Sequence, residues 1–335
     1  MKSTECHGAC RTKRPEGASL SVVIPFYNEE AQVALTLAET ERVLRTTGMP
    51  YEIVAIDDGS SDATWTALTS YPFDGASVQC LRFSRNFGKE AAMCAGLDAA
   101  RGDAVILMDG DLQHPPRYIP TMLALWREGY DVVEGVKTSR GKESKASGFF
   151  ANTFYRLFHK MSGINLKNAS DFKLLDRSFV DQWKTLPEKE TFFRALSAWM
   201  GFDRATFPFV VEERTVGKSK WGFRKLLKLS VNALVGFSSQ PLLWISTIGG
   251  IFLLLFFILA IQTLVRYFMG DAATGFTTVI LLQLLIGSLI LISLGLIGLY
   301  ISKLFKETKA RPRYLLSEHI TCDAEHAPAS HDPIE

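Results

Sequence analysis

The sequence predicts an α/β fold, a mainly parallel sheet with helices on both faces, followed by a membrane-anchored C-terminal region. Between Leu20 and about Gly135, short runs rich in Val and Ile alternate with stretches of helical spacing. Acidic and polar loops follow several of those runs. Near the end of the 335 residues come two uncharged stretches long enough to cross a bilayer. Composition agrees: 47% hydrophobic residues and a mean hydropathy of +0.10 are oily for a soluble chain.

The strands are expected at "LSVVIP", "YEIVAID", "VQCLRF", "DAVILMD" and "DVVEG", with helices at Glu29 to Leu44 and Lys89 to Ala100 between them. Strand and helix in alternation build a parallel sheet buried on both sides. Ligands of such sheets bind beyond the carboxyl ends of the strands, so the loops there are where chemistry is expected. Three qualify: "PFYNEE" after the first strand, "DDGSSDAT" after the second and "DGDLQHPP" after the fourth.

From about Arg140 to Pro208 the pattern reads as amphipathic helices mixed with polar turns, a helical layer on the sheet. Trp221 to Ser239 mixes Leu and Val with cations, as in a helix lying in the headgroup region. Leu242 to Val265 and Phe276 to Ser302 are then the spans. Lys218, Lys220, Arg224, Lys225 and Lys228 precede them and Lys303, Lys306, Lys309, Arg311 and Arg313 follow. Both basic flanks therefore belong in the cytosol, and Arg266 to Gly275 lies outside. The expected organisation is a polar tail at 1–18, a cytosolic catalytic domain at 19–215, a juxtamembrane region at 216–240, a hairpin at 241–303, and a basic then disordered cytosolic tail at 304–335.

A net charge of +2 with no basic domain or stripe argues against nucleic acid as a partner. Five cysteines, without zinc-ribbon or disulfide spacing, read as reduced thiols. "CHGAC" at Cys6 to Cys10 reads as part of a polar tail, and residues 1–19 have no apolar core of a signal peptide.

In "MDGDLQHPP", Asp109 and Asp111 stand two apart at a strand end, where both carboxylates can approach one ion. Hard oxygen ligands favour Mg²⁺ or Mn²⁺ over zinc, and magnesium characteristically shares carboxylates with substrate phosphates. Gln113 could hold a metal-bound water or a ligand oxygen; His114 reads as a loop residue set by the prolines. In "VAIDDGSSDAT", Gly59 permits a tight turn after which Ser60 or Ser61 can cap a helix; Asp57 and Asp58 either cap that helix as well or leave one carboxylate to accept from a base's ring N–H.

The ordered series "VVIPFYNEE", "DDGSSDAT", "RNFGKEAAMCAGL", "LMDGDLQHPP", "SDFKLLDR", "FFRALSAWMGF" and "GKSKWGFRKL" resembles the family-two glycosyltransferases that charge a polyprenyl phosphate with one sugar. The likeness spans Leu20 to about Arg313 and is nearer to bacterial bactoprenol (undecaprenyl-phosphate) glucosyltransferases than to dolichol-phosphate mannose synthases. It implies a GT-A fold, a Rossmann-like sheet of this mainly parallel kind. Pro25, Tyr27, Glu29, Ile56 and Asp58 match positions that hold the nucleoside. Asp109, Gly110 and Asp111, with Gln113, match the metal and diphosphate motif. Arg214 and Lys220 match cations that grip phosphate, and Lys137 falls where mannose synthases often have Arg, a departure because Lys cannot bind bidentately. Asp171 matches an acidic position of the bacterial glucosyltransferase branch and is a candidate for the acceptor side, Asp111 and Asp171 being the implied catalytic residues; Lys137 and Arg140, with Lys142 and Lys145, could draw in the lipid phosphate. The implied reaction is inverting transfer of one sugar, glucose from UDP-glucose by preference, to undecaprenyl phosphate at the cytosolic face of a bacterial inner membrane, with Mg²⁺ or Mn²⁺. GDP-mannose or an aminoarabinose donor, or a non-catalytic scaffold that binds nucleotide sugar, are the alternatives. A processive synthase is disfavoured, since no Gln-x-x-Arg-Trp motif and no further spans are present. Partners are the nucleotide sugar, the polyprenyl phosphate and the bilayer, with self-association left open.

Overall fold

The computed structural model of the chain describes residues 14–73, 77–137, 156–164, 166, 169–189, 191–210, 235–236, 238, 240–269 and 276–322. Two compact units form. One comprises Met1–Tyr155, Ile164–Lys220 and Pro312–Glu335; the other comprises Arg156–Gly163 and Trp221–Arg311.

In the first unit the order is β1 (Leu20–Phe26), α1 (Glu30–Thr46), β2 (Tyr51–Asp57), α2 (Thr64–Thr69), β3 (Ser77–Phe83), α3 (Lys89–Ala99), β4 (Ala104–Leu107), a 3₁₀ turn (Pro116–Tyr118), α4 (Ile119–Arg127), β5 (Val132–Lys137), β6 (Lys173–Asp176), α5 (Arg177–Thr185), α6 (Phe193–Trp199), β7 (Arg204–Phe209) and β8 (Leu316–Cys322). The eight strands lie in one sheet, β7-β5-β6-β4-β1-β2-β3-β8. Strand β1 runs parallel to β2 and β4, β2 to β3, and β5 to β7. Antiparallel pairing is confined to β6 with its two neighbours and to β8 with β3.

Both faces are covered, as the near-continuous Val and Ile of β1 and β2 require. Val22, Ile24 and Phe26 of β1 are buried in one apolar cluster with Val33, Leu37 and Leu44 of α1. On the other face α3 comes so close that a Cβ on Gly96 would lie 2.1 Å from Val23 Cγ1 and 3.1 Å from Ile56 Cδ1. A larger residue there would lift the helix off the sheet.

Two expectations are corrected. The stretch read as a helical layer contributes strands β6 and β7 as well as helices. "KLLD" is too short to show a period, and its Lys173 is fully buried. "RATFPF" alternates in burial but carries Pro208, which suits an edge strand because no ladder N–H is needed there. The tail expected to be disordered holds β8, whose side chains are exposed throughout. Its polar composition hid a strand held by main-chain pairing and by its flanks. Tyr314 stacks on Phe83 at 5.1 Å and donates to Asp98 at 2.9 Å, and Glu318 pairs with Arg82 at 2.9 Å and accepts from Trp65 Nε1 at 3.2 Å.

The second unit contains α7 (Gln240–Phe268) and α8 (Phe276–Thr308), 29 and 33 residues. At ~1.5 Å per residue each exceeds the ~30 Å of a hydrocarbon core. Both are long and apolar enough to cross a membrane, and their large side chains, Leu254, Phe256 and Ile292 among them, face outward. Each runs past its expected end, α7 through Arg266 and α8 through Lys303 and Lys306. The proposed headgroup helix at Trp221 to Ser239 falls almost wholly outside the described residues, as do most of the loop after α7 and the N-terminal Cys/His tail.

Candidate active site

Strand β1 sits between β2 and β4, so the chain turns in opposite directions on its two sides. The crevice beyond the carboxyl ends of β1 and β4 is where an open α/β sheet takes its ligand. The loops after β1, β2 and β4 all open there.

The loop after β1 is locked to the loop after β2. Asn28, at a positive φ of 52°, donates its N–H to Ser60 Oγ at 2.9 Å, and its Oδ1 accepts from Ser61 N at 2.9 Å. Glu29 N donates to Thr64 Oγ1 at 2.9 Å. Pro25 is partly buried and Tyr27 is exposed on this rim. Ile56 is fully buried and packs under α3, so its side chain does not face the crevice.

Asp58, expected on the nucleoside side, is engaged by the loop that follows β3. It is buried, and its oxygens accept from Phe87 N at 2.7 Å, Gly88 N at 2.9 and 3.1 Å and Asn86 Nδ2 at 3.0 Å. Burial raises its pKa, opposed by those backbone bonds. The carboxylate thus holds the start of α3. Gly59 makes the close approach possible: φ is +64°, and a Cβ would fall 2.4 Å from the Arg85 carbonyl carbon.

The acidic loop is not a strand end. Strand β4 stops at Leu107, so Asp109 and Asp111 sit in a turn and strand alternation does not aim them. Other contacts fix the turn. Gly110 O accepts from Thr36 Oγ1 at 2.6 Å, and a Gly110 Cβ would lie 2.6 Å from the Phe26 ring and 3.0 Å from Glu29 Oε2. Asp111 Oδ1 accepts from Gln113 N at 3.1 Å across Leu112, whose φ is +57°. His114 is more than a loop residue. It is buried, stacks on Phe172 at 5.1 Å and accepts from Asp109 N at 3.1 Å through Nδ1. Burial pulls its pKa down, so the 3.7 Å approach to Asp109 Oδ2 is not an ion pair at neutral pH.

Asp109 and Asp171 meet in one charge network. Lys89, in the first turn of α3, places Nζ 2.6 Å from Asp109 Oδ1 and 2.8 Å from Asp171 Oδ2. Arg194 on α6 forks Asp171 with Nε to Oδ1 at 2.7 Å and Nη2 to Oδ2 at 2.8 Å. Burial pushes both carboxyls up, but the cations outweigh it. Lys89 leaves Asp109 below its ordinary value, and Arg194 with Lys89 holds Asp171 well below. Burial likewise pulls the Lys89 ammonium down, and the two carboxylates more than restore it. Lys137 senses the same groups from the end of β5, with its pKa lowered by burial and then by Arg194. Glu90 accepts from Phe193 N at 2.8 Å, and burial followed by the charge of Asp171 raises its pKa to about 7.

Sequence reading missed Lys89, Glu90 and Arg194. Lys89 and Glu90 follow the third apolar run, and the rule that directs attention past each strand reaches them. Arg194 carries no such signal, since only tertiary packing brings it to Asp171. Arg214, Lys220, Arg140, Lys142 and Lys145 lie outside the described residues.

Comparisons with known proteins identify the family. Residues 21–182 match the family described as Glycosyl transferase family 2. An uncharacterized glycosyltransferase of Bacillus subtilis is 36% identical over 89% of this chain and 93% of its own length. A bactoprenol glucosyl transferase of Shigella phage SfX is 35% identical over 89% of this chain and 98% of its own. Among solved structures, glucosyl-3-phosphoglycerate synthase from Mycobacterium tuberculosis, in complex with Mn²⁺, UDP-glucose and phosphoglyceric acid, is 18% identical with a TM-score of 0.45, covering 65% of this chain and 78% of that one. With relatives this similar over nearly their whole length, the chain belongs to glycosyl transferase family 2, and its sheet with helices on both faces is the family's GT-A fold.

Proposed function

We propose that the protein transfers one glucose from UDP-glucose to a polyprenyl phosphate, undecaprenyl phosphate in a bacterium, at the cytosolic face of the inner membrane. The observation that carries this reading is the joining of the acidic turn to Asp171 through Lys89 at the sheet's switch point. Relatives named bactoprenol glucosyl transferases, matched over almost their full length, support the choice of sugar and acceptor.

Pro25, Tyr27 and Glu29 would form the nucleoside side of the crevice, with Asp58 bracing the loop opposite. Asp109 and Asp111 would hold a divalent cation, Asp109 exchanging its contact with Lys89 for the ion. They are hard-oxygen donors on a turn fixed by Thr36 and Phe26, and among the described residues no group of three or more His, Cys, Asp or Glu side chains forms a complete cage. Mg²⁺ or Mn²⁺ there would complete its shell with diphosphate oxygens, Gln113 standing beside it. Such an ion supplies charge stabilisation for the departing nucleoside diphosphate.

The acceptor phosphate is already an anion, so no strong base is needed. Its oxygen attacks the anomeric carbon as the bond to the diphosphate breaks, and the configuration inverts. Asp171 would orient the sugar or acceptor. Its depressed pKa makes it a poor proton acceptor at neutral pH, while Lys137, and the cations at 140, 214 and 220, would draw phosphate inward. Helices α7 and α8 would anchor the protein in the bilayer, with the catalytic unit and both termini cytosolic.

The test is a transfer assay of purified protein in detergent, with a panel of nucleotide sugars, short polyprenyl phosphates and Mg²⁺ or Mn²⁺. UDP-glucose should give a lipid phosphate glucose of inverted anomeric configuration. Transfer from another donor alone, or retention of the donor's configuration by NMR, rejects the proposal.

A further inference from the structure

The charge network raises a question of surplus. Asp171 is nearly buried, 6% exposed, and the Arg194 fork already satisfies both its oxygens. Lys89 adds a third donor to a carboxylate that one cation neutralises. A brace needs no access to solvent, yet the Lys89 side chain as a whole is 40% exposed, more than Arg194 at 32%, although its ammonium end is packed among the charges of the network. An ammonium has three N–H donors, and the two carboxylates take two.

The four formal charges cancel, two carboxylates against one ammonium and one guanidinium. A phosphate monoester carries close to two negative charges at neutral pH. To come beside Asp171 it must meet a cation with valence to spare. Arg194 has committed its fork, whereas Lys89 is the open one. A divalent ion taking Asp109 would release Lys89 from one partner and add positive charge on the same side.

We propose that Lys89 is a binding residue for the phosphate of the lipid acceptor, its ammonium standing between the donor turn and Asp171 to receive the attacking phosphate. This rests on the reading that the acceptor is a polyprenyl phosphate. It gives the first turn of α3 a substrate role and explains why Asp58 and Gly59 fix the preceding loop so tightly: they aim Lys89. No proton or electron is transferred to Lys89 in this role.

The test uses the full chain in nanodiscs with Mg²⁺ present throughout, with farnesyl phosphate as the acceptor probe and UDP as the donor probe, both followed by calorimetry. Lys89→Met should weaken farnesyl phosphate binding at least tenfold, about 1.4 kcal/mol, with UDP affinity within about twofold of the parent. Lys89→Arg, which keeps the charge, should recover most of the loss. A structure of the unaltered protein with farnesyl phosphate, which needs no variant to fold, should place a phosphate oxygen within hydrogen-bond distance of Lys89 Nζ. Farnesyl phosphate binding unchanged in Lys89→Met, equal losses for both probes, or a phosphate seated on Lys137 without Lys89 would overturn the inference. Transfer by the parent protein, measured alongside, separates the cases. No transfer to any polyprenyl phosphate sinks the functional reading itself, whereas transfer with a phosphate-indifferent Lys89 sinks only this assignment.

Discussion

Removing Arg194 is the sharpest perturbation of the charge network. Arg194→Met keeps the aliphatic bulk and deletes two charge-assisted hydrogen bonds to Asp171, of 2.7 and 2.8 Å. Such bonds contribute about 1.5–3 kcal/mol each, so the gross loss is roughly 3–6 kcal/mol. Two features reduce it: Arg194 is 32% exposed, and Lys89 still neutralises Asp171 from 2.8 Å. We expect a net destabilisation of about 2 kcal/mol, which for a unit of this size lowers Tm by roughly 4–8 °C. Thermal unfolding followed by tryptophan fluorescence in detergent measures it. The pH dependence supplies a second reading. A carboxyl with a depressed folded pKa contributes stability above its unfolded pKa and loses it as pH falls through the folded value. The Tm gap between parent and Arg194→Met should therefore be full at pH 7 and narrow at strongly acidic pH. In a double-mutant cycle with Asp171→Asn the coupling should exceed about 1 kcal/mol. Additive losses, or a gap indifferent to acid, would refute the claim that Arg194 holds Asp171 as an anion.

Glu90 gives the opposite sign. Its pKa is raised to about 7, so its stabilising contribution is complete below the unfolded carboxyl value and fades as pH rises through about 7. Glu90→Gln should flatten that decline, and a Tm profile from pH 5 to 8 parallel to the parent's would contradict it. Gly110→Ala places a methyl 2.6 Å from the buried Phe26 ring, where overpacking costs about 1–3 kcal/mol. The turn should shift, so UDP affinity falls at least tenfold by calorimetry with a modest drop in Tm, and unchanged affinity would show the turn to be slack. Ending the chain after Arg311 removes β8, baring the β3 edge and unpairing Arg82 from Glu318. Light scattering should report self-association and fluorescence a lower Tm; a monodisperse, equally stable product would mean that β8 is dispensable.

The Val- and Ile-rich strands through β5 and helices α1 and α3 were legible because burial on both faces writes unbroken apolar runs, and the long apolar helices α7 and α8 because some twenty uncharged residues in a row stand out in any sequence. Strands β6, β7 and β8 were not. They are short or at the sheet edges, where main-chain pairing and not side-chain pattern defines them. The acidic turn was legible as chemistry but not as geometry, since its aim depends on Thr36, Phe26 and His114, far apart in sequence. The bonds from residues 86–88 to Asp58 were not legible, because that loop meets the carboxylate only through tertiary packing. Arg194 was invisible for the same reason.

The central claim is that a divalent ion is held jointly by Asp109, Asp111 and the donor's diphosphate. Mn²⁺ binding followed by electron paramagnetic resonance, with and without UDP, tests it most directly. The account predicts weak binding to the protein alone, tight binding once UDP is added, and loss of that enhancement in Asp111→Asn. UDP that binds equally well without metal, or an Asp111→Asn protein that retains the UDP-enhanced Mn²⁺ signal, would contradict it.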